Sequence, residues 1–312
     1  MAKTTDVSVI VAAYQAAGTI ARALESIAAQ TLKPREVIIV DDGSTDGTFE
    51  AAEAFAPGMN GIVLRVFRTA TNQGAGAARN RAIIESSGAF LAFLDADDEW
   101  LPEKLERSMS YLEGSDYCFV AHDYWSGDNG RPVHHACERR FRENDDPFVG
   151  LYRTGYVPSC SVVARRDAVL AAGGFDSSLA NAQDFDLWLA MTRNPDARFL
   201  VFGEPLLRYH VTPGGIMSYT ARRLKCCLKI ARRYIPDIKR RRHGGLADLW
   251  FRVAAVHVEA ARAYLRNGNL PGLLWTVGKF PFSMLTMTIF FFVGNPEPRR
   301  RHLSAGKDGQ NG

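Results

Sequence analysis

Apolar and polar positions divide the first hundred residues into a regular alternation. "VSVIVAA" (7–13), "EVIIVDD" (36–42), "IVLRVF" (62–67) and "AFLAFL" (89–94) are short, continuous, β-branched or aromatic runs. Such runs predict strands buried on both faces, as in a parallel sheet. Between them the apolar period lengthens to that of a helix. Ile20, Leu24 and Ile27 share one helical face, with Thr19 as the expected cap. Asp46 is placed to cap a helix from about Thr48, and the loop "TNQGAGAARN" leads into a helix ending near Ser86. Strands alternating with helices predict an α/β fold with helices on both faces of the sheet.

The pattern is more mixed from Glu103 to about Tyr209. "YCFVAH" (117–122) and "SCSVVA" (159–164) read as strands, "RRDAVLAAGGF" as a helix stopped by Gly173 and Gly174, and "DFDLWLAMTR" as another helix. After Val211 the character changes. "YTARRLKCCLKIARRY" and "GLADLWFRVAAVHVEAARAYLRNG" are helical patterns, the first strongly basic. The expected organisation is an α/β domain over 1–215, a helical, basic and hydrophobic extension over 216–300 and a disordered tail over 301–312.

Polar residues gather where the strands end. In open α/β sheets ligands bind outside the carboxyl ends of the strands. The second strand ends in "DDGSTD" and the fourth in "DADD", so Asp42, Asp95, Asp97 and Asp98 fall on one edge. "VDDGSTDGT" alone is equally a β-to-α turn with local side-chain hydrogen bonds. "FLDADDEW" exceeds turn chemistry. Three carboxylates at the mouth of a buried strand repel unless a cation sits among them. Asp95 and Asp97, two apart, would lie on the same side of an extended chain. Hard oxygen ligands of this kind suit Mg²⁺ or Mn²⁺; a solvated acidic loop is the alternative. In "NQGAGAARN" the small residues allow close approach to a ligand, and Arg79 can meet an anion.

Composition changes this picture little. The formal net charge of +4 is too mild to argue for nucleic acid, but the basic residues crowd after residue 220 and suggest an anionic surface. The five cysteines are odd in number and none has CxxC spacing, which predicts reduced thiols rather than a disulfide frame or zinc site. The first residues lack the layout of a signal peptide.

The three blocks from "VSVIVAAYQ" through "DDGSTDGT", "NQGAGAARN" and "FLDADDEW" resemble, in order and spacing, the family 2 glycosyltransferases of GT-A fold, over roughly residues 6–210. The resemblance implies an inverting, metal-assisted transfer from a nucleotide-diphosphate sugar, most commonly a UDP-sugar. It implies that Ala12, Tyr14 and Asp42 line the nucleobase pocket, with Asp42 accepting from the base, and that Arg79 lies near the nucleotide. Asp95 and Asp97 are its DxD element: Asp97 for the metal, Asp95 for ribose or a metal-bound water, Asp98 undecided. Asp184 in "NAQDFDLWLAM" aligns with the general base, although Gln183 replaces the usual Glu; a helix cap is the bland reading of Asp184. Asp176 in "GGFDSSL", together with Gln183, is implied at the acceptor site. Arg208 and His210 in "LLRYHVTPGGIMS" are implied at the diphosphate and metal.

Residues 280–296 carry no charge and have basic flanks, yet the strongly apolar part is short for a membrane span, and Pro281 argues against a continuous helix. An interfacial or re-entrant membrane segment is the favoured reading, ahead of a buried helix and a true span. It makes the protein cytoplasmic and peripheral at the inner face of the membrane, with a saccharide or lipid-linked acceptor. Two other classes remain: a catalytically silent nucleotide-sugar binder, suggested by Gln183, and a nucleotidyltransferase. The latter would want a Gly-rich basic loop where "AAYQAAGT" stands.

Overall fold

The four apolar runs form the middle of the molecule. β1 (Thr4–Ala13), β2 (Lys33–Asp41), β3 (Val63–Arg68) and β4 (Phe90–Asp95) lie parallel, linked by α1 (Ile20–Ala28), α2 (Thr48–Ala54) and α3 (Ala75–Glu85). The computed structural model describes residues 4–127, 132–210 and 219–303. Next come β5 (Glu99–Trp100), α4 (Lys104–Leu112), β6 (Tyr117–His122), β7 (Tyr124–Ser126) and β8 (Val133–His135). They are followed by α5 (Cys137–Arg142), α6 (Pro147–Thr154), β9 (Val163–Arg165), α7 (Arg166–Ala172), α8 (Gln183–Met191), β10 (Arg198–Phe202) and β11 (Leu207–Tyr209).

The large sheet has the order β10-β6-β9-β4-β1-β2-β3, with β9 antiparallel to β4 and β6 and the other pairings parallel. A small second sheet, β5-β11-β7-β8, flanks it. From β1 the chain winds to β2 and β3 on one side and returns on the other as β4. The switch in winding direction therefore falls between β1 and β4, where open α/β sheets form their crevice.

Strand side chains alternate between two cores, as period-two geometry demands. Ile10, Ile38, Val40 and Phe93 pack with Ala78, Ile83 and Trp188. Val9, Val11, Ile39 and Leu94 pack with Leu24, Ile27, Leu105 and Met109 on the opposite face. "SCSVVA" is not one strand: residues 159–161 form a 3₁₀ turn and β9 is short. Thr19 stands at the start of α1, but its hydroxyl turns back to the Ala16 carbonyl and caps nothing.

The C-terminal helices are α9 (Thr220–Arg233), α10 (Ile235–Arg240), α11 (Leu246–Arg266) and α12 (Leu270–Val293). They do not form a separate body. Leu224, Ile230, Ile238, Leu249 and Val253 join the core that holds Phe93 and Trp188, and the Tyr152 hydroxyl donates to the Ala231 carbonyl. Residues 301–303, expected in a disordered tail, are docked, with Leu303 buried.

The α12 helix corrects another expectation, because it runs through Pro281 without a break. Proline deprives one carbonyl, that of Val277, of its helical partner. Val277 is itself exposed, so that carbonyl is not sealed in a core. The polarity of α12 is inverted. Thr276, Ser283 and Met287 are its buried residues, Thr288 accepts from the indole of Trp250 on α11, and Leu274, Phe282, Leu285, Ile289 and Phe292 are exposed.

Candidate active site

The β1–β4 switch collects the polar ends of the strands. Ala12 on β1 stands in register with Asp95 on β4. Tyr14 follows in the loop, 51% exposed. Beyond it the loop is held by Ser44 Oγ, which accepts from Gln15 N at 2.9 Å, and Thr48 Oγ1, which accepts from Ala16 N at 2.7 Å. Asp46 receives the amides of Ala17 and Thr48, at 3.0 and 3.1 Å, and so ties the first loop to the start of α2; the cap position itself, expected of Asp46, is taken by Gly47 at φ +89°.

Asp41 and Asp42 act as braces. Asp41 accepts from Ser44 N at 3.1 Å and from Arg68 Nε at 2.9 Å. The Asp42 carboxylate is 2% exposed and takes the amides of Gln73, at 2.9 Å, and Gly74, at 2.7 Å, together with the Thr69 hydroxyl. The expected carboxylate open to a base is thus replaced by one that clamps the 69–74 loop. A base would reach it only after one of those amides gave way. Gly43 makes the clamp possible: at φ +74° a Cβ there would lie 2.9 Å from the Thr71 carbonyl carbon and 3.0 Å from Asn72 N.

The acidic element is a turn, not extended chain. Asp98 N bonds back to the Asp95 carbonyl at 3.1 Å, so the two-residue alternation expected of Asp95 and Asp97 does not apply. Asp95 Oδ1 receives Arg79 Nη2 at 2.5 Å, and Arg79 is 7% exposed. Burial opposes the Arg79 charge, but Asp95 and, less strongly, Asp184 outweigh it and hold the guanidinium protonated. The Asp97 carbonyl is held by Arg22 Nη2 at 2.6 Å.

Asp98 is fully buried. Its Oδ1 accepts from His210 N at 2.9 Å, and its Oδ2 has no hydrogen-bond partner among the described residues. Burial first, then the charges of Asp95 and Asp97, push its carboxyl well above the usual carboxylate range. Ligand atoms of Asp95, Asp98 and Cys160 lie within 4.8 Å of one another. Burial keeps the Cys160 sulfur a thiol rather than a thiolate, leaving carboxylate oxygens as the hard donors. An orphaned buried oxygen beside two further carboxylates is a donor set that fits Mg²⁺ or Mn²⁺.

His210 stands differently from the expectation of a plain metal ligand. Its Nε2 lies 2.7 Å from Glu99 Oε1. Arg208 is exposed on β11, paired with Glu99 across the ladder. Residues 211–218, the rest of the segment that carried His210, lie outside the described residues.

Asp184 is in the first turn of α8, partly buried. It is not the cap. Ala182 takes that position in the left-handed region at φ +58°, a conformation that favours glycine. Two acceptor expectations are overturned. Gln183 is buried and donates to the Leu179 carbonyl at 2.7 Å. Asp176 is fully buried, with one oxygen on Ser178 and the other 2.8 Å from Arg233 Nη2. A carboxylate sealed and satisfied in this way serves the fold. Sequence reasoning missed Arg22, Glu99 and Cys160. Arg22 lies on the solvent side of an amphipathic helix, and nothing in its spacing marks it.

The sequence model described as "Glycosyl transferase family 2" matches residues 8–170. An uncharacterized glycosyltransferase of Nostoc sp. is 32% identical over 169 residues, 52% of each chain. The amylovoran biosynthesis glycosyltransferase AmsB of Erwinia amylovora is 28% identical, over 65% of this chain and 69% of its own. The UDP-Glc:alpha-D-GlcNAc-diphosphoundecaprenol beta-1,3-glucosyltransferase WfgD of Escherichia coli is 26% identical, over 70% and 82%. The chain thus spans about half the length of the first of these relatives and more of the others. Among solved structures, S. aureus TarS 1-349 in complex with UDP-GlcNAc superposes with a TM-score of 0.64 at 20% identity, over 89% of this chain and 81% of that one. The Pyrobaculum calidifontis mannosyltransferase PcManGT, with GDP-Man and Mn2+, gives 0.61 at 20% identity, over 93% and 86%. These likenesses are of fold, and the sequence match carries the rest: the chain belongs to glycosyl transferase family 2 and has its GT-A architecture.

Proposed function

We propose that this protein transfers a sugar from a nucleotide-diphosphate donor, with UDP the first nucleotide to test, to an acceptor hydroxyl with inversion. The observation that carries the proposal is the meeting of Asp95, Asp97 and Asp98 with Arg79 at the β1–β4 switch, within the electrostatic reach of Asp184. Tyr14 and Ala12 receive the base, above the loop that Asp42 holds. Asp97, Asp95 and His210 would hold a divalent cation, with Asp98 behind them. Mg²⁺ or Mn²⁺ bound there would supply positive charge to the diphosphate as its own charge grows. Arg208, exposed beside the site, adds a guanidinium for phosphate. Asp184 takes the proton of the acceptor hydroxyl. The acceptor oxygen bonds to the anomeric carbon as the bond from that carbon to the diphosphate oxygen breaks. A single displacement needs one base and leaves no covalent sugar on the enzyme.

The acceptor is a saccharide or lipid-linked saccharide in surface polysaccharide synthesis. Support comes from the amylovoran and diphosphoundecaprenol named for two relatives and from α12. That helix has 24 residues with a mean hydropathy of 1.4, long and apolar enough to cross a membrane, and it exposes its leucines and phenylalanines. Its sole charge is Lys279, and arginines crowd α9 and the residues after α10. We place the protein at the cytoplasmic face of an anionic bilayer with this helix in the interface. The silent-binder alternative rested on Gln183, whose inward bond to Leu179 explains it as a packing residue.

A panel of nucleotide sugars, with and without Mn²⁺, tests the central claim. Transfer or hydrolysis of at least one donor is expected, with loss of activity on chelation. If no donor is turned over and none binds more tightly with metal, the claim fails.

A further inference from the structure

The chain returns to the catalytic domain after α12, and what it does there is unexplained by the chemistry above. Arg299 Nε lies 2.7 Å from Asp186 Oδ2, and its two terminal nitrogens donate to the carbonyls of Ala172 and Gly174. Asp186 Oδ1 is 2.5 Å from Arg233 Nη1, while Arg233 Nη2 serves Asp176 Oδ2 at 2.8 Å and the Pro298 carbonyl at 2.7 Å. The amides of His302 and Leu303 both donate to the Gly173 carbonyl, at 2.9 and 3.2 Å. Leu303 covers Gly174 so closely that a Cβ there would lie 2.7 Å from its Cδ1.

Two arginines and two fully buried aspartates form the charged centre of this network, with the hydroxyls of Ser178 and Tyr234 donating to the carboxylates and His302 Nε2 3.9 Å from Asp176 Oδ1. Without Arg299 the two carboxylates would share a single guanidinium. Removing one partner of a buried pair leaves an uncompensated charge, the costly case for such networks.

The network has two outlets. Asp186 sits two residues from Asp184 in the first turn of α8. The turn held by Arg299 and Leu303 continues into Phe175. The Phe175 amide and carbonyl are both bonded to the Asn80 side chain, each at 2.8 Å, and its ring lies 5.4 Å under the Arg79 guanidinium. Asn80 is the neighbour of Arg79, the partner of Asp95. One segment thus reaches the proposed base on one side and the nucleotide-side arginine on the other.

We propose that residues 298–303 are a positioning strap for the active site, with Arg299 its key residue. The strap touches neither substrate nor metal. It fixes the first turn of α8 and the 173–176 turn, and through them the placement of Asp184 and Arg79. The assignment of a reaction to Asp184 rests on the glycosyltransferase reading; the mechanical role of the strap does not.

The test is Arg299→Ala in the full chain, compared with wild type by hydrogen–deuterium exchange and by steady-state kinetics with the donor the panel identifies. Faster exchange confined to residues 173–178 and the first turn of α8 is expected. The kcat should fall between about 10- and 100-fold, the scale of a misplaced catalytic group. Donor KM should move far less, and Arg299→Lys, which keeps the charge, should recover part of kcat. Unchanged exchange in those segments, or a uniform rise across the protein, overturns the proposal, as does an unchanged kcat. If Arg299→Ala does not fold, Leu303→Ala, which leaves both arginines in place, is read by the same criteria. If the wild type turns over no donor and UDP with Mn²⁺ does not bind, the glycosyltransferase reading falls, while the exchange pattern still decides the strap.

Discussion

Arg79 Nη2 and Asp95 Oδ1 are 2.5 Å apart at the β1–β4 switch, with the guanidinium almost fully buried and the carboxylate less so. Breaking a pair of this kind from one side strands a charge, at a cost of about 3 kcal/mol. Arg79→Met should therefore destabilise the metal-free protein by roughly that amount in urea titration. Arg79→Met combined with Asp95→Asn should cost less than the sum of the two single changes. Strict additivity would mean that the pair is not coupled.

Asp184→Asn keeps the shape of the first turn of α8 and removes the acceptor of a proton. Transfer should slow by about 10²- to 10⁴-fold, the usual contribution of a general base. Binding of UDP with Mn²⁺, measured by calorimetry, should change little. Wild-type rates in the variant would remove Asp184 from the chemistry.

Glu36 offers a readout of stability that is independent of catalysis. Burial alone would raise its carboxyl, but hydrogen bonds from Ser8, Ser87 and Arg65 outweigh it and hold the pKa down at about 2. A carboxyl depressed from its ordinary 4.5 stabilises the fold at pH above 4.5, and that contribution drains away as pH falls toward 2. The drop corresponds to roughly 3 kcal/mol at most. Glu36→Gln should be less stable than wild type at pH 7 and lose less of its stability on acidification. Parallel pH profiles for the two proteins would contradict this account.

The outward face of α12 should bind lipid. Wild type should co-sediment with vesicles containing phosphatidylglycerol more than with phosphatidylcholine alone, and added salt should weaken the association. Leu274→Asp with Phe282→Asp, both on exposed positions, should abolish binding and leave the melting temperature close to wild type. Equal binding to both lipids would remove the electrostatic part of the reading, and no binding to either would remove all of it.

The parallel sheet was legible because β1, β2 and β4 are unbroken apolar runs, which only a strand covered on both faces can accommodate. The motif blocks located the crevice for the same reason, since polar residues ending such strands must meet at one edge. Side-chain roles were less legible. Nothing local distinguishes Asp176, sealed by Arg233 fifty-seven residues away, from a carboxylate that faces a cleft. Asp42 was misread in the same sense, because its partners Thr69, Gln73 and Gly74 belong to another segment, whereas Gln183 is turned inward by a bond to Leu179 only four residues back. Pro281 failed as a helix breaker because the carbonyl it orphans lies on an exposed stretch, and exposure is not written in the sequence. The docking of Arg299 depends on a buried pair of aspartates that no periodicity reveals.

The contact between Gly43 and the backbone of Thr71 and Asn72 has a thermodynamic consequence. Two loops packed main chain to main chain, with Asp42 tied to the amides of the second, form one preformed jaw. The entropy of ordering them is spent during folding, not when a nucleotide arrives. A base entering that side should bind with a small ordering penalty, and discrimination among bases should depend on the few side chains at the rim, Tyr14 foremost, rather than on loop closure.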